Sequence, residues 1–228
     1  MRFILTLTAG VLLGAATAGA AEHILVSGGC ALMYFEKYKN QPHDKYWGNF
    51  IDAAEVRARQ LNLPAGDQLT WLVYRPAYVN RGRAENANLL AAIQAKAAGA
   101  RARLFWFDTQ RELLNYLNKG RNRDQVKVAR FEYFGHSNML CLMFDYSNAL
   151  DGAAFASSIL HQGDLKKIDA DIFTKDAYAK SWGCHSGESY SAEWHRRTGI
   201  PMIGAIGKTD YSRGGLPFLS SPNGKWSQ

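Results

Sequence analysis

The sequence predicts an α/β fold of three layers, in which a mostly parallel β-sheet is covered by helices on both faces. Short apolar runs alternate with longer segments of helix-forming composition along most of the chain. Several of the apolar runs are nearly continuous, which is typical of strands buried on both sides of a parallel sheet. No internal repeat, linker or low-complexity segment interrupts the pattern, so residues 21–228 are expected to form a single domain.

The predicted elements follow one another from His23 to Ile206. Runs rich in β-branched and aromatic residues predict the strands His23–Gly29, Thr70–Arg75, Arg103–Asp108, Val126–Phe134, Met139–Tyr146, Ala177–Gly183 and Met202–Ile206. Helical composition and spacing predict helices over residues 49–61, 85–98, 109–119, 152–161 and 187–198.

Residues 1–20 have the features of a signal peptide. Arg2 supplies a short positive region, Phe3 to Gly14 form an apolar core, and Ala18-Gly19-Ala20 is a small-residue cleavage signature. We therefore expect an exported protein, periplasmic or extracellular, that lacks residues 1–20. No later segment stays apolar for the roughly 20 residues that a spanning helix requires, so no contact with a membrane is expected after cleavage.

The charge of the chain does not indicate a nucleic-acid partner. Loss of Arg2 with the signal peptide lowers the formal net charge from +7 to +6, and the remaining basic residues are scattered along the sequence. A nucleic-acid site requires basic residues on one face together with aromatic residues for stacking. No nucleic-acid binding is expected.

Three cysteines, Cys30, Cys141 and Cys184, are too few for a disulfide scaffold. Their odd number leaves at least one thiol unpaired within an exported chain. This thiol is either buried and inert, bonded to another molecule, or a nucleophile. The sequence leaves open whether Cys30 and Cys141 pair.

In a parallel sheet, ligands bind and catalysis occurs at the carboxyl ends of the strands. Two of the predicted strand ends carry His136 and Cys184, in the segments Gly135-His136-Ser137 and Gly183-Cys184-His185. Another strand end carries Lys208 and Asp210, which, with His185, are candidate substrate contacts.

Cys184 is expected to lie just before a helix, with Ser186 as its N-cap and Glu188 in its first turn. Unpaired N–H groups at a helix N-terminus favour a thiolate, which is the nucleophilic form of cysteine. His136 could serve as the base or ion-pair partner of Cys184 if their strands are neighbours in the sheet.

These segments resemble the caspase-like clan of cysteine peptidases, which includes metacaspases, gingipains, legumain and the autoprocessing domains of bacterial toxins. The similarity covers roughly residues 100 to 210 and is closest to the toxin-type domains. His136 precedes Cys184 by 48 residues, close to the roughly 50 residues found in caspases. The blocks that carry the similarity are residues 104–114, 131–137, 181–189 and 198–205.

The resemblance implies a caspase-like fold and an endopeptidase that cleaves a peptide or protein substrate after one preferred side chain. It assigns Cys184 as the nucleophile and His136 as its catalytic partner, with oxyanion binding by the backbone N–H groups of Ser137 and Cys184. No cofactor and no metal are implied. The sequence differs from the family at two positions, because Ser137 replaces the usual glycine after the histidine, and Gly183 replaces the alanine or serine frequent before the cysteine.

Two other functions fit the same residues. Gly135-His136-Ser137 resembles the nucleophile elbow of α/β-hydrolases, which would make Ser137 the nucleophile of an esterase. The elbow, however, needs a glycine where this chain has Met139. An elbow also leads into a helix, whereas Met139–Tyr146 is predicted as a strand. A catalytically inactive binding module with the caspase-like fold is the other alternative, in which Cys184 is an unreactive thiol.

Two further patterns are weak. Ser27-Gly28-Gly29 lacks the remaining residues of a phosphate-binding loop and is interpreted as a tight turn. Cys184, His185 and His195 lack the spacing of a metal site.

Overall fold

Six parallel strands form the centre of the structure, which is a computed structural model that describes residues 20–30, 45–145 and 158–227. The strands of the central sheet are β1 (Glu22–Ser27), β2 (Gln68–Tyr74), β3 (Arg103–Phe107), β4 (Val128–Phe134), β8 (Phe173–Ser181) and β9 (Met202–Ile203). They are ordered β3-β2-β1-β4-β8-β9, and every pair in the sheet is parallel.

The helices connect these strands, as a parallel sheet requires. They are α1 (Asn49–Gln60), α2 (Arg75–Glu85), α3 (Leu89–Gly99), α4 (Gln110–Lys119) and α5 (Tyr190–Thr198).

Within the described ranges, seven short strands lie outside the central sheet. They are β5 (His136–Ser137), β6 (Cys141–Met143), β7 (Ile159–His161), β10 (Ala205–Ile206), β11 (Thr209–Asp210), β12 (Phe218–Leu219) and β13 (Lys225–Trp226). They pair in the antiparallel groups β5-β6-β7, β10-β13 and β11-β12.

The two faces of the sheet bury two separate apolar clusters. Alternate residues of β1 belong to opposite clusters, Ile24 and Val26 to one and Leu25 to the other, as the period of two in a strand dictates. The first cluster contains residues of α4 and α5, and the second contains residues of α1 and α3. The expected three-layer architecture, a parallel sheet with helices on both faces, is therefore confirmed.

The strand order reverses at the centre of the sheet. From β1 the chain adds β2 and β3 on one side and then crosses to β4, β8 and β9 on the other. The crevice at such a switch point, outside the carboxyl ends of the strands, is where open α/β sheets bind ligands. Here the switch point lies between β1 and β4.

Several predicted elements need correction. Residues 75–85 form helix α2, which was not predicted; Pro76 in its first turn is well placed to start a helix. Residues 159–161, predicted as helix, form strand β7, and residues 152–157 lie outside the described part of the chain. The predicted strand Met139–Tyr146 is shortened to β6, and Tyr146 lies outside the described residues.

The predicted last strand is divided into β9 and β10 at Gly204. A Cβ atom on Gly204 would lie 2.5 Å from the backbone nitrogen of Gly187, so the chain can pass this point only without a side chain.

The predicted signal peptide falls outside the described residues except for Ala20. Within the described ranges, no helix is both long and apolar enough to cross a bilayer.

Candidate active site

The segments that carry His136 and Cys184 leave the central sheet side by side. Strands β4 and β8 are hydrogen-bonded neighbours, with Tyr133 opposite Ser181 near their carboxyl ends. The Trp182 N–H donates to the carbonyl oxygen of Tyr133 at 2.8 Å, which continues the pairing one step beyond the strand. Both segments therefore emerge at the same edge of the sheet.

Beyond the sheet the two segments are in direct contact. The hydroxyl of Ser137, the residue after His136, donates a 2.6 Å hydrogen bond to the carbonyl oxygen of Cys184. A Cβ atom on Gly183 would lie 2.2 Å from this hydroxyl oxygen and 2.7 Å from the carbonyl oxygen of Gly135. The two strand ends singled out in the sequence are thus in direct contact.

The Cys184 sulfur is held by Thr209, which lies in one of the predicted strand-end segments but was assigned no role from the sequence. The Thr209 backbone N–H donates to Sγ at 3.4 Å, and the Thr209 hydroxyl lies 3.6 Å from it. The same hydroxyl donates to the carbonyl oxygen of Trp182 at 2.9 Å. Strand β11 thereby fixes the half-buried thiol against the end of β8.

The helix that was predicted to follow Cys184 directly begins later in the structure. Helix α5 begins at Tyr190, and its N-cap residue is Ser189, whose side chain makes no capping bond. Ser186 is fully buried, and its hydroxyl donates to the carbonyl oxygen of Gly183 at 3.2 Å. Residues 183–189 form turns because this segment bonds to β10, with the Gly187 N–H donating to the Ala205 carbonyl at 2.9 Å. The N–H groups of a helix terminus therefore do not surround the thiol.

The His136 ring is positioned by an aromatic neighbour from α1. His136 lies in β5, opposite Met143 of β6. The rings of His136 and Phe50 are in an edge-to-face contact, with 4.9 Å between their centroids and 89° between their planes. The Tyr133 hydroxyl donates to the carbonyl oxygen of His136 at 2.9 Å, so the backbone is held as well.

Phe50 also contacts Tyr211, with a centroid distance of 4.9 Å. The Tyr211 hydroxyl donates to the carbonyl oxygen of Trp182 at 3.1 Å, and burial raises the pKa of Tyr211 well above its usual value. Tyr211 therefore remains a neutral hydrogen-bond donor at physiological pH. It connects the β11–β12 region to the segment of Cys184.

The three candidate substrate contacts have different surroundings. His185 adopts a left-handed backbone conformation, with φ of 58°, and its Nδ1 lies 2.5 Å from the Glu188 carboxylate. This hydrogen bond lowers the pKa of Glu188, which also accepts from the Gly207 N–H at 3.2 Å. The Lys208 side chain is exposed, and half-buried Asp210 accepts a hydrogen bond from the Ser212 N–H at 2.7 Å.

The surroundings of Ser137 differ from those of a nucleophile elbow. Ser137 is buried within β5, its hydroxyl is directed to the Cys184 carbonyl, and the next element is strand β6. An elbow instead exposes its serine on a turn that leads into a helix.

The glycines after β1 serve close packing. A Cβ on Gly29 would lie 2.2 Å from the Ala77 side chain, and one on Gly28 would lie 2.7 Å from the Tyr133 hydroxyl. These contacts leave no space for a phosphate beside the two glycines. Among the described residues, no group of three or more His, Cys, Asp and Glu side chains could hold a metal ion.

None of the three cysteines forms a disulfide bond. Cys30 and Cys141 are buried, and burial raises the pKa of the Cys141 thiol. Cys184 is the most accessible of the three.

Comparison with known proteins gives no relatives: the chain matches no protein-family model, and neither a curated protein nor a solved structure is significantly similar to it. Any function must therefore be argued from the site itself.

Proposed function

We propose that this protein is an exported, caspase-like cysteine endopeptidase in which Cys184 and His136 form the catalytic dyad. The observation that carries the proposal is the contact between their two segments, through the Ser137 hydroxyl and the Cys184 carbonyl. This contact supports a shared groove at the carboxyl ends of neighbouring strands, which is where open α/β sheets bind their ligands.

The proposed reaction begins when the Cys184 thiolate attacks the carbonyl carbon of the peptide bond. A C–S bond forms and the carbonyl oxygen takes the negative charge. The C–N bond then breaks, and His136 gives its proton to the leaving amine. Water, deprotonated by His136, hydrolyses the thioester to release the acid and restore the thiol.

The surroundings of the two side chains suit these roles. The Thr209 N–H donates to the Cys184 sulfur, and the Phe50 ring packs against the imidazole of His136. Such fixed geometry contributes to catalysis because the reacting groups need no reorganisation. Backbone N–H groups of Ser137 and Cys184 are the proposed oxyanion donors, which requires no particular side chain at position 137.

The binding-module alternative keeps the same fold with an unreactive Cys184. A digest of a peptide library with the purified protein distinguishes the two functions. We expect cleavage products from the protein and none from the Cys184→Ala variant. Absence of cleavage by both would favour the binding module, and cleavage that survives Cys184→Ala but not Ser137→Ala would favour the esterase-type site.

A further inference from the structure

A cleft of about 790 Å³ opens at the amino ends of the central strands, at the other end of the sheet from Cys184. It lies where β2 and β3 begin, beside the last turns of α1 and α3. Its volume is within the range of small-molecule sites. The proposed peptidase mechanism does not involve this cleft, so a ligand bound there is independent of that function.

Part of the cleft is lined by apolar side chains. Leu61, Leu63 and Pro64, from the connection between α1 and β2, contribute to its wall. The two leucines are half-buried and Pro64 is exposed, so apolar surface remains accessible inside the cleft. Removal of such surface from water favours the binding of a ligand that has a hydrocarbon part.

Three arginines, Arg59, Arg101 and Arg103, also line the cleft. Arg59 is already paired, because its Nε and Nη2 lie 3.2 and 2.8 Å from the Glu55 carboxylate. Arg101 and Arg103 are exposed, and within the described ranges neither forms an ion pair. These two side chains therefore give the cleft a positive charge.

The acidic residue of the lining, Asp67, is engaged by the protein itself. Its Oδ1 accepts from the Ala21 N–H at 2.9 Å, and its Oδ2 lies 2.8 Å from His23 Nε2. Only 11% of the Asp67 side chain is exposed. An anion in the cleft would therefore meet the two exposed arginines more than this carboxylate.

The backbone at Arg101 points to a role for its side chain. Arg101 has a φ of 54°, at the position after α3 where helices usually end on glycine. Its N–H donates to the Ala98 carbonyl at 3.0 Å, and the Ala102 N–H donates to the Ala97 carbonyl at 2.9 Å, so these carbonyls do not oppose an anion. A strained backbone of this kind is often found at functional sites.

We propose that the cleft binds a free amphiphilic anion, with its carboxylate or phosphate head at Arg101 and Arg103 and its hydrocarbon part against Leu61 and Leu63. Guanidinium groups match the geometry of both heads and donate charge-assisted hydrogen bonds to them. The apolar lining discriminates against small anions that consist of the head alone.

Isothermal titration calorimetry of the purified protein tests this ligand class. Decyl phosphate and decanoate, each below its critical micelle concentration, should both bind. Inorganic phosphate lacks the hydrocarbon part, and decyltrimethylammonium carries the opposite charge. We expect both of these to bind at least tenfold more weakly than decyl phosphate, since each loses one of the two kinds of contact.

Three variants locate the site. Arg101→Gly and Arg103→Gln should each weaken decyl phosphate binding roughly tenfold, the effect of one charged hydrogen bond. Arg111→Gln is the matched control, because Arg111 is exposed on α4 and does not line the cleft. Arg101→Gly should also retain at least the original urea midpoint, because glycine adopts a positive φ without strain. Its loss of binding then cannot result from unfolding.

Several results would overturn the proposal. These are the absence of decyl phosphate binding, equal affinities in all three variants, or inorganic phosphate binding as tightly as decyl phosphate. Sedimentation with phosphatidylglycerol vesicles in the absence of binding to the soluble amphiphiles would contradict a free ligand. Cys184→Ala should bind decyl phosphate as the original protein does, so a failure of the peptidase function is distinguishable from a failure of this site.

Discussion

Ser137 occupies the space that a side chain at Gly183 would need. A Cβ atom at position 183 would lie 2.2 Å from Ser137 Oγ and 2.9 Å from Ser137 Cβ. The two positions at which the sequence differs from the caspase-like pattern are thus in contact. The side chain of Ser137 therefore fits only beside a residue without a Cβ atom at position 183.

This contact predicts a coupled pair of substitutions. Gly183→Ala alone should lower the free energy of unfolding by about 1–3 kcal/mol, because the added methyl group overlaps Ser137. Adding Ser137→Gly should recover part of that loss, but not all, since the Gly135 carbonyl oxygen would remain 2.7 Å from the new Cβ. Urea denaturation of the two single variants and the double variant measures the coupling. Strictly additive effects would mean that the two positions do not interact.

Lys180 predicts a dependence of stability on alkaline pH. Its ammonium lies 3.5 Å from the ring centroid of Trp182 and 4.2 Å from that of Trp226. Burial there lowers the pKa of Lys180 from 10.5 to about 8. Between these two values the unfolded chain binds a proton that the folded protein has lost, so the free energy of unfolding should rise with pH.

Lys180→Met isolates this effect, because the variant carries no titrating group at that position. Denaturant unfolding from pH 8 to 9.5 should show a steeper rise in stability for the original protein than for Lys180→Met. The pH range ends below 10, the ordinary pKa of tyrosine. Tyrosines whose pKa burial raises, such as Tyr78 and Tyr133, therefore contribute little to the slope. Parallel curves for the two proteins would show that Lys180 titrates as it does in water.

The contacts just before β1 bear on the proposed cleavage of residues 1–20. The Ala21 backbone N–H donates to Asp67 Oδ1 at 2.9 Å, and Asp67 Oδ2 lies 2.8 Å from His23. Cleavage after Ala20 would convert this N–H into an ammonium already placed against a carboxylate. The intact mass of the exported protein should therefore correspond to a chain that starts at Ala21.

Loss of the receiving carboxylate should then destabilise the chain that starts at Ala21. Asp67→Asn should cost about 2 kcal/mol of unfolding free energy, the contribution of a charged hydrogen bond. Asp124→Asn is a matched control, because Asp124 is exposed and has no ion pair among the residues that the structure describes. A mass that retains residues 1–20, or equal stability of the two variants, would contradict this account.

Much of the sheet could be predicted, because its strands are marked by local patterns. Apolar runs such as that of β4 are bounded by residues that end strands, and the bounds found differ from the predicted ones by a few residues. Helix α2 was missed because Arg75 and Pro76 follow a strand directly, without the loop that usually separates two elements.

The candidate site could be predicted only in part. His136 and Cys184 were found because both follow apolar strands, a local signal. Thr209, Phe50 and Tyr211 come from other segments, and only the tertiary structure brings them to the two side chains. Ser186 was misassigned as a helix cap because its hydroxyl bonds to Gly183, within a turn that the contact with β10 imposes.

The most direct test of the dyad is the rate at which iodoacetamide alkylates Cys184 at pH 6 to 7, with and without His136. Peptide mapping separates this thiol from Cys30 and Cys141, which are buried and should react slowly. We predict that Cys184 reacts much faster than free cysteine and that His136→Ala removes the advantage. Alkylation no faster than that of free cysteine, unchanged by His136→Ala, would contradict the proposed mechanism.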